Sequence, residues 1–166
     1  MSIRYESRDY KTFHQLRTVF ICVHRQTGMD MRILVPIDGS EPAKKALEHA
    51  LVRFPEASLT VLHVINPVDA GHSMDGFSAP VFDELEVQAD QLLDEAVSVA
   101  KAHDRELTTA RELGRPARAI LDYADENEFD HIVIGSHGRT GVSRILLGSI
   151  AETVVRRASV PVTVVR

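Results

Sequence analysis

From Met31 onward, short β-branched apolar runs alternate with longer stretches whose apolar residues recur at helical spacing. That alternation is the pattern of βαβ units, in which parallel strands are covered on both faces by crossover helices. The first run, Met31–Ile37, predicts a strand ending at Asp38, Gly39 and Ser40. Ser40 suits a helix N-cap and Pro42 a first helical turn, with Ala43, Ala46, Leu47, Ala50 and Leu51 forming an apolar stripe behind them. Leu59–Ile65 is an apolar run of the kind found in strands buried on both faces, and His63 within it reads as a satisfied core or pocket-wall histidine. Between Asn66 and Pro80 the breakers Gly71, Gly76 and Pro80 and the lack of periodicity predict a long loop, a lid or partner surface at this edge of a sheet.

A long helix is expected from Phe82 to His103, with Leu85, Ala89, Leu92, Leu93, Ala96, Val97 and Ala100 on one face. A weak third strand follows, about Leu107–Leu113. Gly114–Pro116 then opens a helix through Asn127, and Phe129–Ile134 is the fourth strand. Apolar residues at 147, 150, 151, 154, 155 and 158 predict a helix over Val142–Ala158, and Val160–Val165 a last strand, either inner or at an edge. A Val-rich edge invites pairing with a copy of itself.

Residues 1–30 stand outside this pattern. They hold four of the nine aromatic residues (Tyr5, Tyr10, Phe13, Phe20) and one apolar run, Val19–Val23. They read as a poorly ordered tail or an over-long start, or else as an added strand or partner segment using that run. The domain organisation expected is therefore an N-terminal extension, 1–30, and one α/β domain, 31–166, since 166 residues suffice for one ordinary core and not two.

Composition removes several functional classes. Hydrophobic residues at 44% and charged residues at 26% are those of a soluble globular protein, and no apolar run approaches the roughly 18 residues that span a bilayer, so no membrane partner is expected. Residues 31–166 carry 14 basic against 21 acidic side chains, which argues against a nucleic-acid-binding surface. The single cysteine, Cys22, cannot form an intramolecular disulfide, no Cys/His spacing suggests zinc, and no secretory signal is expected, since no apolar run followed by a small-residue cleavage site stands near the N-terminus. A reducing cytoplasm is the expected location.

The candidate chemistry gathers where parallel strands end. Gly135, Ser136, His137 and Gly138 follow the fourth strand, and Gly148 and Ser149 come after nine intervening residues, inside the first turns of the predicted helix. Glycines there let backbone N–H groups approach an anion, and a helix N-terminus adds positive potential. The crevice at the carboxyl ends of such strands is the usual ligand site, and the first strand delivers Pro36, Ile37 and Asp38 to it while the second delivers Val64. Asp38 either accepts from a ribose or holds a phosphate-bound magnesium ion, or else makes a turn or cap; with Ser40 available for capping, the ligand role is favoured. Backbone groups near Val64 suit an adenine edge, and the Gly138 region, Ser149, Ile150 and Arg139 suit phosphates. Arg139 and Arg144 are equally read as ordinary surface arginines, His137 as a loop-shaping or phosphate-contacting residue, and Gly148 as a close-packing glycine.

These residues resemble the universal stress protein family, in its ATP-binding subgroup. The family's motif of Gly, two residues, Gly, nine residues, Gly, then Ser or Thr is matched by Gly135, Gly138, Gly148 and Ser149; Ile33–Ser40, Leu62–Val64 and Val160–Val165 match as well, so the resemblance spans 31–166. It implies a three-layer, Rossmann-like α/β fold with a five-stranded parallel sheet in the order 3-2-1-4-5. It also implies ATP with magnesium as ligand, contacts at Asp38, Val64, Gly135, Gly138, Gly148 and Ser149, and a homodimer in which the last strands, 160–165, meet. The resemblance further suggests Ser149 as a candidate phosphate acceptor, a role its counterpart has in some relatives. The expected function is a nucleotide-dependent stress-response regulator with protein partners at loop 66–80. The alternatives are a slow ATPase or self-phosphorylating protein, or a sensor of AMP or cyclic AMP.

Overall fold

The computed structural model describes residues 31–66, 79–138 and 147–166. Nine elements alternate along it: β1 (Arg32–Ile37), α1 (Glu41–Arg53), β2 (Ser58–Ile65), α2 (Ala79–Ala102), β3 (Thr108–Leu113), α3 (Pro116–Glu126), β4 (His131–Gly135), α4 (Ser149–Arg157) and β5 (Val162–Val165). The strands form one sheet in the order β3-β2-β1-β4-β5, with every pairing parallel. This is the expected fold.

Burial follows the strand order. Ile33, Leu34 and Val35 on β1, Val61 and Leu62 on β2, and Ile132 and Val133 on β4 have no exposed surface, because helices cover both faces of the central strands. Ile33, Val35, Val61 and Val133 pack with Ala43, Ala46, Leu47 and Ala50 of α1 and Leu93, Ala96 and Ala100 of α2. On the opposite face Leu34, Leu62, Ile132 and Ile134 pack with Ile120 and Ala124 of α3 and Ala151 and Val154 of α4. The edge strand β3 is exposed at five of its six positions, which explains its weak apolar pattern. Arg111 ties it to α2 through Asp90 at 2.8 Å and Glu86 at 3.8 Å.

The far end of α1 is held by one side chain. The Arg105 guanidinium donates to the carbonyls of Leu51 (3.2 Å), Phe54 (3.2 Å) and Ala57 (2.7 Å), satisfying at Leu51 an acceptor that the helix end leaves without an intrahelical partner and binding the turn that follows. Replacing Arg105 by alanine is expected to destabilise the fold by about 1–3 kcal/mol. Urea unfolding checks it, and an unchanged midpoint would show that water replaces the three bonds at no cost.

At the same lower edge of the sheet, His131 Nε2 lies 2.8 Å from Thr163 Oγ1. Its ring packs on Phe54 with centroids 5.3 Å apart, and Phe54 in turn meets His49 edge-on at 6.4 Å. Burial, aided by the neighbouring His49, pushes the His131 pKa below the ordinary 6.5. The folded state thus favours the neutral ring, and its contribution to stability is present above 6.5 and lost as pH falls from there towards the lower folded-state value. Urea midpoints are expected to fall between pH 7.5 and pH 5, with a shallower fall in His131→Gln. Equal slopes for the two proteins would place the dependence elsewhere.

Candidate functional site

β1 ends in a turn made by its own side chains. Asp38 Oδ1 accepts from the Ser40 N–H at 3.0 Å, and Gly39 between them has φ +81°, a conformation that costs glycine little. Asp38 therefore does serve the turn. Its other carboxylate oxygen faces Gly138: a Cβ on Gly138 would lie 2.5 Å from Asp38 Oδ2. Ser40 caps α1, accepting from the Ala43 N–H at 3.3 Å.

β2 runs beside this turn, with His63 in register with Ile37, so Val64 lies one position beyond the end of β1. Its half-buried side chain packs on the α3/α4 side. His63 Nδ1 lies 2.9 Å from the Ile37 carbonyl; a carbonyl only accepts, so this nitrogen carries the proton. That is the satisfied histidine expected from sequence. Pro36 is buried within β1, while Ile37 and Gly39 border a cavity between α1 and α2, away from Val64.

β4 supplies the glycine turn. A Cβ on Gly135 would lie 2.7–2.9 Å from backbone atoms of Pro42 and Ala43, so β4 and the start of α1 touch backbone to backbone. The Ser136 N–H donates to the Val165 carbonyl at 2.6 Å, and the Ser136 carbonyl accepts from the Gly148 N–H at 2.7 Å. One residue thus joins the turn, the end of β5 and the start of α4. The Ser136 hydroxyl lies 3.0 Å from His137 Nδ1, and the Ser40 hydroxyl donates to the His137 carbonyl at 3.4 Å.

Gly148 corrects the sequence reading. It is not inside a helix: with φ −74° and ψ 156° it is the N-cap of α4, which begins at Ser149 rather than in the region of Val142. Among the described residues no side chain caps that end, so there its first N–H groups have no side-chain partner. A Cβ on Gly148 would lie 3.1 Å from His137 Cα, so close packing of the two segments accounts for glycine here. Ser149 and Ile150, the first residues of α4, are exposed. Arg139 and Arg144, and 67–78 of the expected loop, lie outside the described residues.

The structure therefore brings Asp38, Ser136, His137, Gly138 and Gly148 into one connected arrangement, with Ser149 and Ile150 adjoining and Val64 at the same sheet edge. Sequence reasoning missed the second role of Ser40. Its capping signal was legible, but its bond to a residue 97 positions away carries no local signature. Chemically the arrangement is an uncapped helix end, close-packed glycine backbone and one carboxylate, a setting suited to an anion with a cation or hydroxyl beside it. Among the described residues no group of three or more His, Cys, Asp or Glu gathers that could hold a metal ion, and no helix is long and apolar enough to cross a membrane. The residues fit a metal carried by phosphates, to which Asp38 would be a single ligand.

Comparison with known proteins identifies the family. A sequence model of the universal stress protein family matches residues 29–166. The chain is 30% identical over 138 residues to universal stress protein MJ0531 of Methanocaldococcus jannaschii, covering 81% of each chain. The solved structure of MJ0577 from the same organism superposes with a TM-score of 0.72 at 30% identity, covering 82% of this chain and 96% of that one. A universal stress protein solved in complex with cAMP superposes at 0.63 and 26% identity, covering 82% and 97%. Sheet order, glycine turn and sequence relationship coincide, and the chain belongs to the universal stress protein family.

Proposed function

We propose that this protein binds ATP, with magnesium, in the crevice bounded by Asp38, Val64, the Gly135–Gly138 turn and the start of α4, and that the bound state regulates partner contacts in a stress response. The observation that carries this reading is the uncapped N-terminus of α4 beside glycine backbone, where phosphate oxygens gain N–H donors and helix-dipole stabilisation together. Gly138 and Ser149 serve the phosphates, aided by His137, Arg139 and Ile150, while Gly135, Ser136 and Gly148 hold the turn against α1, β5 and α4. Pro36 and Val64 frame the base, with Ile37 turned to the opposite, α1/α2 side of the sheet, and Asp38 contacts ribose or magnesium. The protein acts in the cytoplasm as a homodimer joined through 160–165, a reading whose homodimer part is supported by β5 lying, among the described residues, at the end of the strand order with only β4 beside it. Segment 66–80, which leaves β2 at this edge, meets protein partners.

Calorimetric titration with magnesium-ATP tests the proposal: saturable one-to-one binding is expected, weakened in Asp38→Ala. Absence of heat with ATP, together with binding of cAMP or AMP, would favour a second reading, a sensor of another adenine nucleotide. The relative solved in complex with cAMP is the observation behind that alternative.

A further inference from the structure

Among the described residues the fold buries only two polar side chains, Ser40 at 8% exposure and Ser136 at 1%. Both engage His137. Ser136 Oγ lies 3.0 Å from the ring nitrogen Nδ1 and Ser40 Oγ 3.4 Å from the main-chain carbonyl. Buried hydroxyls need partners, so two of them on one half-buried loop residue fix that residue at both its backbone and its ring.

The ring contact also decides where the proton sits. A hydroxyl carries one proton to donate, and His137 Nδ1 is the acceptor the structure offers Ser136 Oγ. If Nδ1 carried the ring proton, it would donate to Oγ and leave the buried serine proton without an acceptor among the described residues. With Ser136 donating, Nδ1 accepts and the neutral ring carries its proton on Nε2. Among the described residues no hydrogen bond engages that second nitrogen. His137 itself sits between the carboxylate-contacting Gly138 and the backbone of Gly148, at the start of α4.

We propose that His137 is a preset Nε2–H donor to a phosphate oxygen of the bound nucleotide, with Ser136 selecting the tautomer and Ser40 holding the backbone in place. This rests on the nucleotide reading of the site and assigns it one neutral, oriented donor in addition to backbone amides. Ser136 and Ser40 are positioning residues.

Two substitutions separate the ring's two ends. The amide nitrogen of glutamine reaches about as far as Nε2, and that of asparagine about as far as Nδ1. His137→Gln is expected to keep ATP affinity within about threefold, and His137→Asn to lose about tenfold, as for one bond to a charged group. Adenosine affinity is expected to stay unchanged in both. Nitrogen-15 NMR of the full-length chain is expected to show His137 in the Nε2–H form and a mixture of tautomers in Ser136→Ala. Equal losses for ATP and adenosine, full retention in His137→Asn, or an Nδ1–H tautomer in the wild type would overturn the proposal. Should the wild type bind no adenine nucleotide, the functional reading falls by itself, and the same variants titrated with inorganic pyrophosphate decide the donor: a loss confined to His137→Asn upholds it, and no binding or no difference overturns it.

Discussion

Gly135→Ala is expected to lower the stability of this protein by about 3 kcal/mol, the largest effect of any single methyl group in the site. The added Cβ would lie 2.7 Å from the Pro42 carbonyl carbon, 2.8 Å from Ala43 N and 2.9 Å from Pro42 O. All three atoms are backbone at the start of α1, so no rotamer change relieves the contact; β4 or the helix must move. Both are anchored by neighbours: β4 pairs with β1 on one side and β5 on the other, and Ala43, Ala46 and Ala50 of α1 are buried against the sheet. Over a chain of this size the loss corresponds to a melting temperature lower by about 6–12 °C. Calorimetric or urea unfolding measures it, and a change below about 0.5 kcal/mol would mean that the close approach relaxes freely.

Gly138→Ala is expected to do the opposite, leaving stability within about 1 kcal/mol while weakening nucleotide binding by about a hundredfold. Here the added Cβ meets Asp38 Oδ2 at 2.5 Å and the carboxyl carbon at 3.7 Å, atoms at the end of a side chain rather than backbone, so the carboxylate gives way at a cost of about 1 kcal/mol for its bond from the Ser40 N–H. Rotation takes the carboxylate out of the position proposed for ribose or magnesium, and the methyl group stands where backbone would approach phosphate. The fall combines a lost charge-assisted contact of about 1.5–3 kcal/mol with steric obstruction. Titration of the folded variant with magnesium-ATP checks it; wild-type affinity would show that Asp38 and the Gly138 backbone do not meet the ligand. The two variants together assign different duties to two glycines of one motif, Gly135 to the fold and Gly138 to the ligand.

Most of the architecture was legible in the residues. Continuous apolar runs marked β1, β2 and β4 because both faces of those strands are covered. The Ser40 and Pro42 signals marked the start of α1 because capping is a local interaction. Where the reading went astray, at α4, the reason is physical: Leu147 packs with the same core cluster as Ala151 and Val154, so its apolar character fits helical spacing although it precedes the N-cap. In the same helix Ile150 and Val155 are 36% and 44% exposed, so part of the apolar periodicity did not report burial in this chain. The closing strand was readable as a strand but not as inner or edge, since Val-rich composition suits both. Among the described residues the observed strand order sets it at the edge.

By itself, the sequence determined the alternation of strands and helices, the parallel sheet and the glycine motif, because spacing, capping and apolar periodicity act within a few residues. Only the tertiary structure decided that Gly135 abuts the start of α1, that Asp38 lies against Gly138, and that Ser40 and Ser136 close on His137. Those contacts depend on β1 and β4 lying side by side, a juxtaposition produced by packing both faces of the sheet, and no local pattern in either segment encodes it.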